Sequence, residues 1–143
     1  MKPTFYIAGP MRGVKDYNFP AFDAARDFGK ARGYEIVSPA DIDRRFGIHE
    51  NTPGVDTLQM SRLFAERDTN VLIRQLAAEN GDGIALLPGW EASTGAVAEF
   101  FIARWVGLRV FDATTFRPFT KEAIEKISFE AVEKAIRRTL FVS

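Results

Sequence analysis

The sequence predicts an α/β protein built on a parallel sheet of four to five strands. Short β-branched or apolar runs alternate with longer segments whose apolar residues recur at helical spacing. Gly or Pro closes most of the short runs, as expected for buried strands. A helix-length segment separates the first two runs, which favours a right-handed crossover between parallel strands. The 143 residues suit one domain, which we expect to span residues 1–143.

The amino-terminal part of the chain is predicted to form a strand–helix–strand unit. Thr4–Ala8 is β-branched, aromatic and apolar, which is typical of a strand. The helix is predicted over about Pro20–Arg32, with Asn18 as its cap and a proline at an early helical position. Tyr34–Val37 is predicted as the second strand.

A long helix is predicted over Leu58–Ala78, either continuous or broken near residues 67–70. We interpret Arg67 and Asp68 as a surface or hinge ion pair, and an Asp68 that faces a binding site is the alternative. The polar segment Glu50–Val55, which precedes the helix, is predicted to be a mobile loop. Such a loop can act as a lid over a cleft.

The carboxyl-terminal half is predicted to add two strands and two helices. Ile84–Leu87 is a short apolar run bounded by Gly and Pro, typical of a strand that is covered on both faces. A helix is predicted over Ser93–Trp105, with its first residue as the cap, and Leu108–Phe111 is predicted as the fourth strand. The final amphipathic helix, Lys121–Thr139, is expected to pack on the sheet or to make a subunit contact.

Composition excludes several classes of function. Lys+Arg and Asp+Glu are both 19, so no basic excess is present to bind a nucleic-acid polymer. The chain has no cysteine and one histidine, which excludes Cys-based and His-rich metal sites, and we expect neither a metal nor another cofactor. No apolar run is long enough to cross a membrane, and the first residues do not resemble a signal peptide. We therefore expect a cytoplasmic protein without a membrane partner.

One segment combines a helix N-terminus with a carboxylate. Ser93 and Gly95 begin the helix that follows the third strand, where free N–H groups and the helix dipole favour an anion. Glu99 lies four residues after Gly95, on the same helical face. This spacing suits a bound phosphate with Glu99 as the nucleophile on an anomeric carbon. The alternative is that Glu99 is an exposed polar residue of an amphipathic helix.

Glycosyl transfer that retains configuration also needs an acid near the leaving base. Asp41 follows the second strand and is the predicted second catalytic residue, although it can instead cap a short turn. Asp43 and Glu91 are the other candidates. Asp82 lies at the opposite end of its strand from the loop, so we do not expect it to be the acid.

Several motifs together resemble the nucleoside 2-deoxyribosyltransferase-like superfamily, and most closely its branch of small, often phage-associated DUF4406 proteins. The resemblance covers about residues 4–111. Its motifs are Tyr6-Ile7-Ala8-Gly9-Pro10-Met11-Arg12-Gly13, Asn18-Phe19-Pro20, Ser38-Pro39-Ala40-Asp41, the segment from Asp82 to Glu91, and Ser93-x-Gly95-x-x-x-Glu99. The last spacing is similar to that of deoxynucleoside 5′-monophosphate N-glycosidases.

The resemblance implies a flavodoxin- or Rossmann-like three-layer sandwich and a homodimer or larger homo-oligomer whose site is completed by a neighbouring subunit. It implies that Ser93 and Gly95 bind a phosphate, that Glu99 attacks C1′, and that Tyr6 lies near the sugar or base. Further phosphate and sugar contacts are implied for Gly9, Met11, Arg12 and Gly13.

The implied function is hydrolysis or base exchange at the N-glycosidic bond of a (deoxy)nucleoside or its 5′-monophosphate. A non-catalytic nucleotide-binding or sequestering module that uses the same pocket is the alternative. Pro10 replaces a common Ser of the monophosphate hydrolases, which removes one potential phosphate donor. Gly89 and Trp90 are predicted to contact the substrate, since Trp90-Glu91 differs from the transferases' loop and is expected to shape what is bound.

Overall fold

The computed structural model describes residues 2–141, with side chains up to residue 138, and its centre is a parallel sheet. The strands are β1 (Thr4–Ala8), β2 (Glu35–Val37), β3 (Gly83–Leu86) and β4 (Arg109–Asp112). Their order is β2-β1-β3-β4, and all three pairings are parallel. The four predicted strands and their parallel arrangement are confirmed.

Five α-helices lie within the described residues. They are α1 (Phe19–Ala31), α2 (Pro39–Arg45), α3 (Leu58–Asn70), α4 (Thr94–Trp105) and α5 (Lys121–Phe141). None of the described helices is both long and apolar enough to cross a bilayer. The predicted long helix is broken: α3 passes into a π-helical turn at Val71–Gln75, after which the backbone becomes extended at Leu76.

Alternating residues of the strands pack into two separate cores. Phe5 and Ile7 of β1 face α1 and contact its apolar stripe, which includes Phe22. Tyr6 and Ala8 face the opposite layer, which the π-helical turn, α4 and α5 supply. The sheet is therefore covered on both faces, and the structure has the three layers of a flavodoxin- or Rossmann-like fold.

The carboxyl ends of β1 and β3 lie side by side, and the chain leaves them toward opposite faces of the sheet. A Cβ atom on Gly9 would lie 2.7 Å from the Cβ of Leu87, so only glycine allows this approach of the two strand ends. Gly89, at φ 83°, makes the turn after β3 beside Pro10. Open α/β sheets bind ligands at such a switch point.

Asn18 is the N-cap residue of α1, as predicted, but its side chain does not cap the helix. Asn18 precedes the helix, but it is left-handed at φ 60° and its side chain makes no cap hydrogen bond. Its amide instead donates to the carbonyl of Pro10 at 2.8 Å, because the left-handed turn at Asp16–Asn18 directs it toward the loop after β1. Asn18 therefore braces this loop against the start of α1.

Candidate active site

Glu99 lies on α4, one turn inside the helix, and its carboxyl faces the central strand. It is half-buried, and Oε2 accepts a hydrogen bond from the hydroxyl of Tyr6. Tyr6 belongs to β1 and is completely buried, with its ring on the α4 side of the sheet. The alternative of an exposed Glu99 on an amphipathic helix is therefore wrong.

A second carboxyl, that of Asp68, lies beside the same hydroxyl. Asp68 is 8% exposed, and burial raises its pKa, an effect that a hydrogen-bonding interaction with the Tyr6 hydroxyl partly opposes. The negative charge of Asp68 in turn raises the pKa of Glu99. Tyr6 thus lies between two carboxyl groups that interact electrostatically. The predicted ion pair of Arg67 and Asp68 is present, but it is buried and not at the surface.

Both carboxyl groups lie in surroundings that disfavour their negatively charged forms. Burial is the main cause that raises the pKa of Glu99 from 4.5 to about 8, against the opposing hydrogen bond from Tyr6. Burial also raises the pKa of Asp68, although Arg67 opposes this rise. Near neutral pH the pair consequently retains a proton.

Arg67 connects this pair with a third acid. Its Nε and Nη2 donate to the two oxygens of Asp68 at 2.6 and 3.2 Å. Its Nη1 lies 2.7 Å from Oδ1 of Asp43, which is 6% exposed and belongs to α2. Burial raises the pKa of Asp43, and Arg67 opposes this effect. The guanidinium is therefore shared between two buried carboxyls.

The predicted phosphate-binding residues lie at the N-terminus of α4. Oγ of Ser93 accepts a hydrogen bond from the backbone N–H of Ala96 at 3.2 Å, so Ser93 is the cap that the sequence predicts. This bond leaves the hydroxyl proton of Ser93 free to be donated. A Cβ atom on Gly95 would meet only Oγ of Ser93, at 4.0 Å, so the space above this turn is open. An anion can therefore approach the first turn of α4.

The loop after β1 supplies an arginine that rests on α3. The guanidinium of Arg12 lies 5.0 Å from the centre of the Phe64 ring and donates to Oγ of Ser61. Met11 is half-buried and packs against the α1-side core. Gly13 has φ 75° and an open surrounding. The predicted contacts of these residues with a phosphate or sugar remain predictions.

Asp41 lies in a different group of charges from Glu99. It forms ion pairs with Arg26 at 2.5 Å and with Arg44 at 3.2 Å, and Asp23 binds the same two arginines. Among the described residues, its contacts lead to α1 and α2 and not to Tyr6 or Glu99. The arginines hold the carboxylate in this group, and Asp68 is the acid that lies beside Tyr6 and Glu99.

Two further residues have structural roles. Trp90 is 4% exposed and its ring centre lies 4.9 Å from that of Phe100. It therefore packs in the core and does not line the candidate site. Asp82 accepts hydrogen bonds from the backbone N–H groups of Thr4 and Ala77 at 2.7 and 2.8 Å. It therefore ties the chain together at the amino end of β3, remote from the site, as the sequence predicts.

The sequence pattern contains a signal for the burial of Asp68. Phe64, Asp68 and Leu72 follow one another at intervals of four, so the acid occupies the inward stripe of its helix. An acid in such a stripe is buried and needs a partner. No comparable sequence signal marks Asp43, whose burial depends on how α2 packs against α3.

Comparison with known proteins identifies the family. Residues 3–112 match the model of a family described as "Domain of unknown function (DUF4406)". Since this match covers most of the chain, the protein belongs to that family. No curated protein and no solved structure matches the chain.

Proposed function

We propose that this member of the DUF4406 family cleaves the N-glycosidic bond of a (deoxy)nucleoside or its 5′-monophosphate, either by hydrolysis or by base exchange. The observation that supports this proposal best is the Tyr6 hydroxyl between the carboxyls of Glu99 and Asp68. Two carboxyls that interact and retain one proton are the groups that retaining glycosyl chemistry needs. The sequence resemblance to nucleoside 2-deoxyribosyltransferase-like proteins supports the same reaction.

The proposed orientation of the substrate follows from the two ends of the site. A 5′-phosphate binds at Ser93 and Gly95, where the α4 dipole and free N–H groups favour an anion. The sugar then extends one helical turn along α4, toward Glu99. The base points toward α3 and Asp68. In a nucleoside that lacks the phosphate, the sugar and base contacts alone hold this orientation.

In the first step an oxygen of Glu99 attacks C1′ and forms a glycosyl ester. The bond between C1′ and the base nitrogen breaks, and its electron pair stays on that nitrogen, which takes the proton of Asp68. The Tyr6 hydroxyl donates to Glu99, so it orients the attacking carboxylate. In the second step water, or the nitrogen of another base, attacks C1′ and gives its proton to Asp68. The ester bond breaks and returns Glu99 as a carboxylate.

This mechanism requires the single proton of the pair to be on Asp68 while Glu99 is charged. Because the charge of Asp68 contributes to raising the pKa of Glu99 to about 8, this value marks the loss of the last proton of the pair. Above about pH 8 both carboxyls are charged and no acid remains for the leaving base. Base release should therefore decrease as the pH rises through this value.

A second candidate function is non-catalytic binding of a nucleotide. It is favoured by the same pKa of about 8, because a protonated Glu99 is a hydrogen-bonding group and a poor nucleophile. A binder should hold the nucleotide without releasing base, and Glu99→Gln should leave its affinity nearly unchanged.

The deciding experiment incubates the protein with nucleosides and nucleoside 5′-monophosphates, with and without a second base, and measures free base by chromatography from pH 5 to 9. We expect base release that decreases above about pH 8 and is lost in Glu99→Gln, by at least about a thousandfold. Glu66→Gln, on the exposed side of α3, is the matched control and should keep the full rate. Binding of a monophosphate without base release would support the second candidate, and equal rates in Glu99→Gln would exclude the proposed nucleophile.

We also propose a homodimer or larger homo-oligomer, which the sequence resemblance favours. Trp105 at the end of α4 is 87% exposed and Phe129 on α5 is 74% exposed. Exposed apolar side chains of this size are typical of association surfaces where they form one contiguous patch. Sedimentation velocity measures the mass directly, and a monomer at high concentration would contradict this part of the proposal.

A further inference from the structure

Three acids and one arginine form a continuous buried row across three helices. Asp43 on α2 contacts Arg67 at 2.7 Å, and Arg67 contacts Asp68 at 2.6 Å. Asp68 and Glu99 interact across the Tyr6 hydroxyl. The mechanism above uses every member of this row except Asp43 and Arg67. Burying a charged group costs desolvation free energy, so we ask what Asp43 and Arg67 contribute to the site.

The two contacts of Arg67 differ in kind. Toward Asp68 the guanidinium makes two aligned hydrogen bonds, one to each carboxylate oxygen. Toward Asp43 it makes a single close contact, from Nη1 to Oδ1 at 2.7 Å. Asp43 therefore holds one nitrogen of Arg67 by this contact and by its charge.

We infer that Asp43 is a positioning residue that holds part of the Arg67 charge away from Asp68, so that Asp68 keeps the proton it gives to the leaving base. One cation divided between two carboxylates neutralises neither of them completely. If Asp43 lost its charge, Arg67 would act on Asp68 alone and favour its ionised form. This inference rests on the proposed role of Asp68 as the acid.

The surroundings of the row leave few other groups that could have this effect. Among the described residues, the charged or titratable groups outside the row that act on its members are Arg12 after β1 and Tyr6 on β1. Arg12 acts on Asp43, since its charge lowers the pKa of that carboxyl. Tyr6 donates to Glu99 and also faces Asp68. Asp43 is thus the acid that competes with Asp68 for Arg67.

The test follows the side-chain carboxyl carbon of Asp68 by ¹³C NMR during a pH titration, which needs no turnover. We expect Asp43→Asn to lower the midpoint of Asp68 by about one pH unit, the size expected when an opposite charge acts more strongly. The matched control is Asp23→Asn, since Asp23 pairs with Arg44 in the other group of charges. It should leave the Asp68 midpoint unchanged, and Asp43→Glu should restore it.

Asp43→Ser, a smaller neutral replacement, should give the same displacement and provides a second variant if Asp43→Asn does not fold. An unchanged Asp68 midpoint in a folded neutral variant would overturn the inference. If base release is measurable, its decrease at high pH should move to lower pH in Asp43→Asn, while the rate at the optimum changes less. A displaced NMR midpoint without any base release would support the role of Asp43 and count against the proposed reaction.

Discussion

Helix α2 carries two aspartates, two residues apart, that enter two very different groups of charges. Asp41 joins Asp23, Arg26 and Arg44 in a half-exposed group, where two arginines pair with these two aspartates and also with Asp27 and Glu50. In that group Arg44 lowers the pKa of Asp23, against a smaller effect of burial. The buried row around Asp43 contains the same residue types, but there the pKa of each aspartate is raised.

The two groups differ in their exposure to solvent. In the buried row one arginine serves Asp43 and Asp68, and burial is the largest effect on the pKa of each acid. In the half-exposed group water stabilises the carboxylates and the arginines add to this effect. Paired charges alone therefore do not mark a reactive site. A better indication of a reactive site is an acid whose pKa is raised despite a nearby arginine.

The largest effect that separates the two groups should be on base release. Asp68→Asn removes the proposed acid, and we expect the rate to decrease by about a hundredfold to ten-thousandfold. Asp41→Asn, in the half-exposed group, should change the rate little. The decrease in Asp68→Asn should be smallest for substrates whose base leaves easily without protonation, and chromatography of the released base measures both. Similar losses in the two variants would contradict the distinction.

A second effect should appear in the dependence of stability on pH. Glu99 has a folded-state pKa of about 8, above its usual value of 4.5, so the folded pair of Glu99 and Asp68 holds a proton that the unfolded chain has lost. Its contribution is complete below pH 4.5 and is lost as the pH rises toward 8. Glu99→Gln cannot ionise, so we expect it to become more stable than the wild type by about 1–3 kcal/mol near the upper end of this range.

Urea unfolding at several pH values measures this difference. Glu66→Gln is the exposed control, and its unfolding free energy should follow that of the wild type at every pH. If the difference between Glu99→Gln and the wild type did not grow with pH, the protonated carboxyl inferred in the site would be wrong.

The smallest effect is expected in the half-exposed group. Arg44 lowers the pKa of Asp23, so this pair stabilises the fold above the unfolded-state pKa, and the contribution is lost as the pH falls through the lowered value. Asp23→Asn should therefore cost about 0.5–1 kcal/mol near pH 7, the size typical of partly exposed ion pairs. Urea unfolding should show this cost shrinking in acid. A cost that increased in acid would mean that the pair acts by another cause.

The comparison also shows which features the sequence could predict. The four strands, the crossover and the Ser93 cap follow from local patterns, and all of them are present. The position of Glu99 follows from helical spacing. The prediction failed where burial depends on packing between distant segments. Asp41 and Asp43 look equivalent in the sequence, and only the packing of α2 against α1 and α3 separates them.

Trp90 shows the same limit of sequence-based prediction for an apolar residue. An aromatic residue in a Gly-flanked loop suggests a ligand contact, but the partner that decides its position, Phe100, lies ten residues later on α4. The break after α3 was only partly predicted, since the polar residues near 67–70 mark its place and give no indication of a π-helical turn. Turns of this kind are frequent at functional sites, and this one directly follows the helix that carries Asp68.

The position of Tyr6 has a consequence for how the site moves. β1 is hydrogen-bonded on both sides, to β2 and to β3, so Tyr6 shifts only if the centre of the sheet opens. The backbone amide hydrogen of Tyr6 should exchange with solvent only about as fast as the whole protein unfolds. Arg12 and the first turn of α4 lie at the surface and can fluctuate at far lower cost. If the proposed reaction is right, a substrate would meet a fixed half of the site, which orients Glu99, and an adjustable half, which can adapt to the group attached at its 5′ position.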